Sequence, residues 1–304
     1  MVSSPPVMIM KEKMRGTLFL LTATIIWGFA FVAQSVGMDL IGPWTFQAVR
    51  SALAVLTLIL CTFLMDKGSV KAFTTKWQSK SLWKAGCLCG CALFVAASLQ
   101  QIGLVYTNAG KAGFITTMYI VLVPVLVLFL GKKIPRIVLV SVGLAVVGLY
   151  LLSCAGGISN INKGDLYLMG CALAFAVQIQ CVDHLAAGQD CLRMNCIQCL
   201  TVSVISIPFA LITETVVWEH LLAAAVPLLF SGCLSMGIAY SCQILGQRYV
   251  EPTTASLIMS LESVFAVIGG WWLLHERLTP AEWLGCALVF TAVLLLQLPN
   301  KKSA

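Results

Sequence analysis

The chain has 304 residues, of which 60% are hydrophobic and 10% charged, with a net charge of +7. Soluble domains run near 45–50% apolar and about 25% charged, so this composition excludes an ordinary water-soluble enzyme and a disordered chain. The basic residues form no stripe interleaved with exposed aromatics, which argues against a nucleic-acid partner and leaves a polytopic, all-α membrane protein.

A membrane helix needs roughly 20 apolar residues. The first such run, 17–37, follows Lys11, Lys13 and Arg15. Its length exceeds the 7–15 residues of a cleavable signal core, and no small-x-small cleavage site follows, so it reads as a retained helix. Nine further runs come at 44–65, 84–104, 109–130, 136–154, 165–186, 194–213, 221–245, 254–274 and 281–298. The third and sixth carry polar residues, among them Gln100, Gln101, Gln178, Gln180 and Asp183. Ten membrane-spanning helices leave only short loops, so any function lies within the bilayer.

Charge orients the runs. With the N-terminus cytoplasmic, the inner segments hold fifteen of the 19 Lys and Arg and the outer segments three, with Arg50 inside a span. Such a bias places both termini in the cytoplasm of a cell membrane. Trp44, Trp83, Trp218 and Trp283 sit near run ends, at headgroup level. Trp27 sits mid-span, where it must pack against neighbours or face a cavity.

The Gly- and Asn-containing stretch 155–164 divides the chain into a 17–154 half and a 165–298 half, flanked by a 1–16 segment and a 299–304 tail. Gln100, Gly103, Tyr106, Ala112 and Ile115 recur as Gln243, Gly246, Tyr249, Ala255 and Ile258 at a constant offset of 143. Five runs per half is an odd number, so the second half enters the membrane upside down. Two inverted five-helix repeats are a secondary-transporter architecture, with the substrate site near the midplane between them.

Intramembrane ionisable side chains are expensive and face a cavity or a partner. Arg50 lies roughly 9 Å below the outer end of its span, and Glu262 roughly 12 Å in from the inner end of its own, at 1.5 Å per residue. Arg50 is a candidate fixed cation for a substrate carboxylate, or it snorkels to the outer headgroups. Glu262 is a candidate proton carrier, or structural glue. Gln100, Gln101, Gln178, Gln198 and Gln243 are uncharged donors and acceptors that either read a substrate or bond across helices. Trp27 and Tyr119 are candidates for an aromatic wall. The 13 Cys are scattered through apolar sequence, and Cys87, Cys89 and Cys91 have no His pair at metal-ligand spacing, so they read as small packing residues and no metal is expected. His275-Glu276 reads as a helix-terminal interface feature. There is no phosphate-binding Gly-rich loop, HExxH or GxSxG. The sequence therefore predicts no catalytic residue, no cofactor and no ATP-driven pump.

Several stretches together resemble the EamA branch of the drug/metabolite transporter superfamily. They are Trp27-Gly28, Pro43 with Phe46, Arg50-Ser-Ala-Leu-Ala54, Tyr106-Thr-Asn-Ala109 followed by Tyr119 and Pro124, Leu261-Glu262-Ser-Val-Phe-Ala266, and Leu274-His-Glu276-Arg-Leu-Thr279 through Gly285. The resemblance implies ten helices in two inverted repeats, alternating access through a central cavity, and transport of small metabolites, commonly export of amino acids. Lys132-Lys133 stands where that family often has Gly-Glu, and Ser263 where it has Pro. The expectation is a secondary transporter, monomeric or homodimeric, with a small-molecule substrate and the lipid bilayer as its partners. The alternatives are a membrane-embedded enzyme acting on a lipid-linked substrate, which the one acid in 66–83 ill supports, and a non-transporting subunit of a larger complex.

Overall fold

The computed structural model describes residues 6–107, 109–154, 162–273 and 277–297. The sequence features at Asn108, Gly156, Gly157, Asn160, Leu274, His275, Glu276 and 299–304 lie outside the described residues. Those described are helical, with no strand among them. The helices are α1 (Pro6–Met38), α2 (Pro43–Met65), α3 (Val70–Trp77), α4 (Lys80–Leu104), α5 (Ala109–Thr117), α6 (Tyr119–Phe129), α7 (Arg136–Cys154) and α8 (Lys163–Leu185). They continue with α9 (Cys191–Thr213), α10 (Trp218–Ala223), α11 (Ala225–Leu229), a π-helix (Phe230–Ala239), α12 (Tyr240–Gln247), α13 (Pro252–Met259), α14 (Leu261–Leu273) and α15 (Pro280–Gln297).

Eight segments are long and apolar enough to cross a membrane: Met10–Met38, Pro43–Met65, Lys80–Leu104, Lys111–Phe129, Lys163–Leu185, Cys191–Thr213, Ala225–Gln247 and Pro252–Leu273. Arg136–Leu151 and Pro280–Leu295 are shorter apolar helices. Their positions follow the ten apolar runs. The ends differ where polar residues cap a helix ahead of its apolar stretch. Ser79 accepts from Leu82 N at 3.3 Å, starting α4 at Lys80 rather than at 84. Asn162 and Asp165 form a reciprocal capping box that starts α8. Asp190 accepts from Arg193 N at 3.1 Å and starts α9.

Three runs expected as single helices are broken. The fourth bends at Met118 between α5 and α6, ahead of Pro124, which lacks an N–H for the helix ladder. The ninth breaks at Ser260, whose Oγ turns back to Leu257 O at 2.7 Å. The eighth becomes a π-helix, where Asn195 of α9 inserts its amide and donates to Met236 O at 3.0 Å and Gly237 O at 2.8 Å. Helix α3 is an additional element, since its eight residues are too few and too polar for the apolar-run criterion.

The main helix pairs are α2 with α9, α7 with α15, α4 with α8, α4 with α9, and α1 with α14. Small residues let backbones approach. A Cβ at Gly28 of α1 would stand 2.3 Å from Phe265 Cβ and 2.9 Å from Ala266 N of α14. Two glycine contacts recur in parallel. Gly103 meets Leu168 and Gly164, while Gly246 meets Leu20 and Gly16. The α2–α9 pair is also fastened at both ends. At one end Glu214, just past α9, accepts from Trp44 N and Thr45 N of α2's first turn, both at 2.8 Å. At the other end Asp66, just past α2, pairs with Arg193 in α9's first turn.

Candidate functional site

The helices line a narrow central cavity of about 30 Å³. Helix α1 contributes Trp27, Phe31 and Gln34, at the i, i+4, i+7 spacing of one helix face. Arg50 comes from α2, Gln100 from α4 and Tyr119 from α6. Phe175 and Ile179 come from α8, Ser235 and Met236 from the π-helix, Tyr240 and Gln243 from α12, Met259 from α13 and Glu262 from α14.

Arg50 is 2% exposed and forms no ion pair among the described residues. Its Nε donates to Gln47 Oε1 at 3.0 Å, its Nη2 to the same oxygen at 2.5 Å, and its Nη1 to Gln34 Oε1 at 2.5 Å. The Phe46 ring lies 5.6 Å from the guanidinium carbon. A guanidinium has five donors, so this amide cradle fixes the plane of the group and leaves two of them unused. The side chain lies inward on neutral acceptors rather than snorkelling out. A buried cation without a carboxylate partner leaves its charge to be compensated, and a planar guanidinium is well shaped to take an anion.

Glu262 is 6% exposed and follows the break at Ser260. Tyr119, which follows the break at Met118, donates its hydroxyl to Glu262 Oε1 at 3.0 Å. Beside them Thr117 and Ser263 hydroxyls stand 2.5 Å apart, and Ser263 Oγ donates to Gly113 O at 3.1 Å. Ser263 thus uses its hydroxyl to join the two broken spans, a bond that a proline there could not make. Trp27 meets Tyr240 edge to face at 4.8 Å, and Tyr119 meets Phe175 at 6.4 Å. Among the described residues Trp27 Nε1 and Gln243 Oε1 are buried without a hydrogen-bond partner, and both residues line the same cavity as Arg50.

Of the residues nominated from sequence, Trp27, Arg50, Tyr119, Gln243 and Glu262 line the cavity together, as does Gln100. Gln178 and Gln198 lie behind this lining. Gln243 Nε2 donates to Gln178 Oε1 at 3.1 Å, Gln178 Nε2 approaches Gln198 Oε1 at 3.5 Å, and Gln198 Nε2 donates to Asn195 Oδ1 at 3.2 Å. This amide chain leads to the π-helix carbonyls held by Asn195. Gln101 is outside the cavity lining and donates to Met38 Sδ at 3.2 Å. Sequence reasoning missed Phe31, Gln34, Phe175, Ile179, Ser235, Met236, Tyr240 and Met259. A signal existed for several, since Phe31 and Gln34 share a face with Trp27, and Met236 and Tyr240 one with Gln243. Among the described residues no group of three or more His, Cys, Asp or Glu side chains could hold a metal ion.

Comparison with known proteins gives concordant results. The model of the EamA-like transporter family matches twice, over residues 14–154 and 162–298. An uncharacterized transporter of Archaeoglobus fulgidus is 31% identical over 288 residues, covering 94% of this chain and 87% of the relative. A second, the uncharacterized transporter YoaV of Bacillus subtilis, is 27% identical over 286 residues, covering 91% and 94%. A solved crystal structure superposes with a TM-score of 0.75 at 18% identity, over 92% of this chain and 96% of that one, which shows a shared fold. A multi-pass helical bundle around a central cavity, matched in both halves by one transporter family, is a membrane transporter, and the chain belongs to the EamA-like transporter family.

Proposed function

We propose that this chain is a secondary exporter of small organic metabolites bearing a carboxylate, amino acids or their relatives. It works by alternating access between two inverted five-helix halves, 17–154 and 165–298, in the cell membrane with both termini cytoplasmic. The observation that carries the reading is Arg50, a buried guanidinium in the central cavity with two unused donors and no carboxylate partner among the described residues. A substrate carboxylate supplies the missing countercharge. Gln243 Oε1 accepts from the substrate's ammonium, and Trp27, Tyr240 and Phe175 form the aromatic wall. Glu262, held by Tyr119 where two broken spans meet, takes up and releases the coupling proton.

The inverted arrangement draws support from the double family match and from equivalent contacts. Gly103 on Leu168 and Gly164 has its counterpart in Gly246 on Leu20 and Gly16. Tyr119 and Glu262 stand 143 residues apart in sequence, the same offset as the repeated motif, and bond to each other. Asp66 and Glu214 each follow a 23-residue helix and each grip the first turn of the other's helix.

The test is flux in proteoliposomes made from the purified chain, with labelled amino acids and nucleosides, with and without a pH gradient. The reading expects carboxylate-bearing compounds to move, faster with the gradient. Movement of nucleosides but no amino acid would overturn the substrate assignment. Indifference of all flux to the gradient would overturn the proton role.

A further inference from the structure

Between α2 and the start of α4 lies a stretch unlike the rest of the chain. Residues 67–84 carry five lysines, Lys67, Lys71, Lys76, Lys80 and Lys84, and no acid. All five are exposed. Only Lys76 has a carboxylate partner among the described residues: Asp66, at 2.5 Å. The stretch is held in shape rather than left as a tether. Ser69 caps α3 by accepting from Ala72 N at 3.4 Å. Phe73 and Trp77 turn inward, their rings 6.0 Å and 5.8 Å from the Arg193 guanidinium. The Trp83 indole donates to Trp77 O at 2.8 Å, while its ring stays 40% exposed. An ordered basic ledge with a half-exposed Trp, directly after a membrane span, lies at the level of the lipid headgroups.

We propose that this ledge is a docking surface for anionic phospholipid headgroups of the inner leaflet, engaged by Lys67, Lys71, Lys80 and Lys84. The charge complementarity is one-sided, because the ledge has four cations without a counterion among the described residues, and the leaflet supplies phosphate. The inference rests on the proposed cytoplasmic placement of this loop and is independent of the substrate. Bound lipid also bears on the bundle. Lys76 shares Asp66 with Arg193, which in turn binds Asp190 at the start of α9. Lipid held on the flanking lysines therefore steadies the α2–α9 fastening at this end.

The full chain in neutral detergent tests this through its thermal midpoint with added phosphatidylglycerol, phosphatidylcholine or inorganic phosphate, at low and high salt. Phosphatidylglycerol is expected to raise the midpoint and high salt to shrink the rise, while phosphatidylcholine and inorganic phosphate leave it unmoved. A chain with Lys67→Gln, Lys71→Gln, Lys80→Gln and Lys84→Gln together is expected to lose most of the phosphatidylglycerol rise, and the milder pair Lys71→Gln and Lys80→Gln to lose part of it. Lys132→Gln with Lys133→Gln, on another loop, is expected to keep it. An undiminished rise in both ledge variants, or an equal rise with phosphatidylcholine, overturns the proposal. A rise with inorganic phosphate alone assigns the ledge to free anions instead. These readings are independent of flux, so they fail or succeed separately from the transport assignment.

Discussion

In the proposed mechanism Arg50 holds substrate and Glu262 carries the proton, and their substitutions separate the two roles. Glu262→Gln keeps the hydrogen bond from Tyr119, since an amide oxygen accepts as a carboxylate oxygen does, but removes the titrating group. Flux is expected to persist and to lose its response to a pH gradient. An unchanged response assigns the proton elsewhere. Asp66 offers a titration outside the membrane spans. The hydrogen bond from Lys76, together with the nearby Arg193 charge, holds its carboxyl below the usual aspartate range, against the opposing effect of burial. A carboxylate whose pKa is depressed on folding stabilises the protein above its unfolded value, about 3.9, and this contribution is lost as pH falls through the depressed folded value. The thermal midpoint of the wild-type chain is therefore expected to fall on acidification below about pH 4, and more steeply than that of Asp66→Asn. Parallel curves would show that Asp66 does not carry this dependence.

At the scale of elements, close approach and broken helices do the positioning. Gly28 lets α1 sit against the backbone of α14, so a Cβ there displaces the helix that carries Glu262. Gly28→Ala is expected to destabilise by about 1–3 kcal/mol, as overpacked interiors do, seen as a lower thermal midpoint. An unshifted midpoint would mean that the contact yields without strain. Asn195 holds two π-helix carbonyls, and Asn195→Leu leaves them without that partner, at about 1–3 kcal/mol. The same change lets the segment bearing Ser235 and Met236 relax toward an α-helix, so flux is expected to fall even at temperatures where the variant stays folded. Hydropathy located the ten apolar segments, because a span is a property of twenty consecutive residues. It passed over the breaks at Met118 and Ser260 and the π-helix, because each depends on single residues rather than on mean hydropathy: Pro124 after the first, the Ser260 hydroxyl at the second, and for the π-helix a bond from Asn195, forty-one residues before Met236 in the chain. The ledge helix α3 was illegible for the opposite reason, being eight residues of mixed polarity.

For the whole molecule, composition alone placed the chain in a membrane, and the cavity residues then followed unevenly. Trp27, Arg50 and Glu262 were legible because a mid-span Trp or charge has few uses besides lining a cavity. Gln101, Gln178 and Gln198 looked like equals of Gln243 because an amide serves both purposes, and only packing separates the one in the lining from those behind it. The account's central claim is that the cavity around Arg50 is where substrate binds during transport. The most direct measurement is flux of labelled amino acids into proteoliposomes by Arg50→Ala beside the wild-type chain, at matched folded yield. Loss of flux in the variant, with wild-type movement intact, is the predicted result, and movement at the wild-type rate by Arg50→Ala would contradict it.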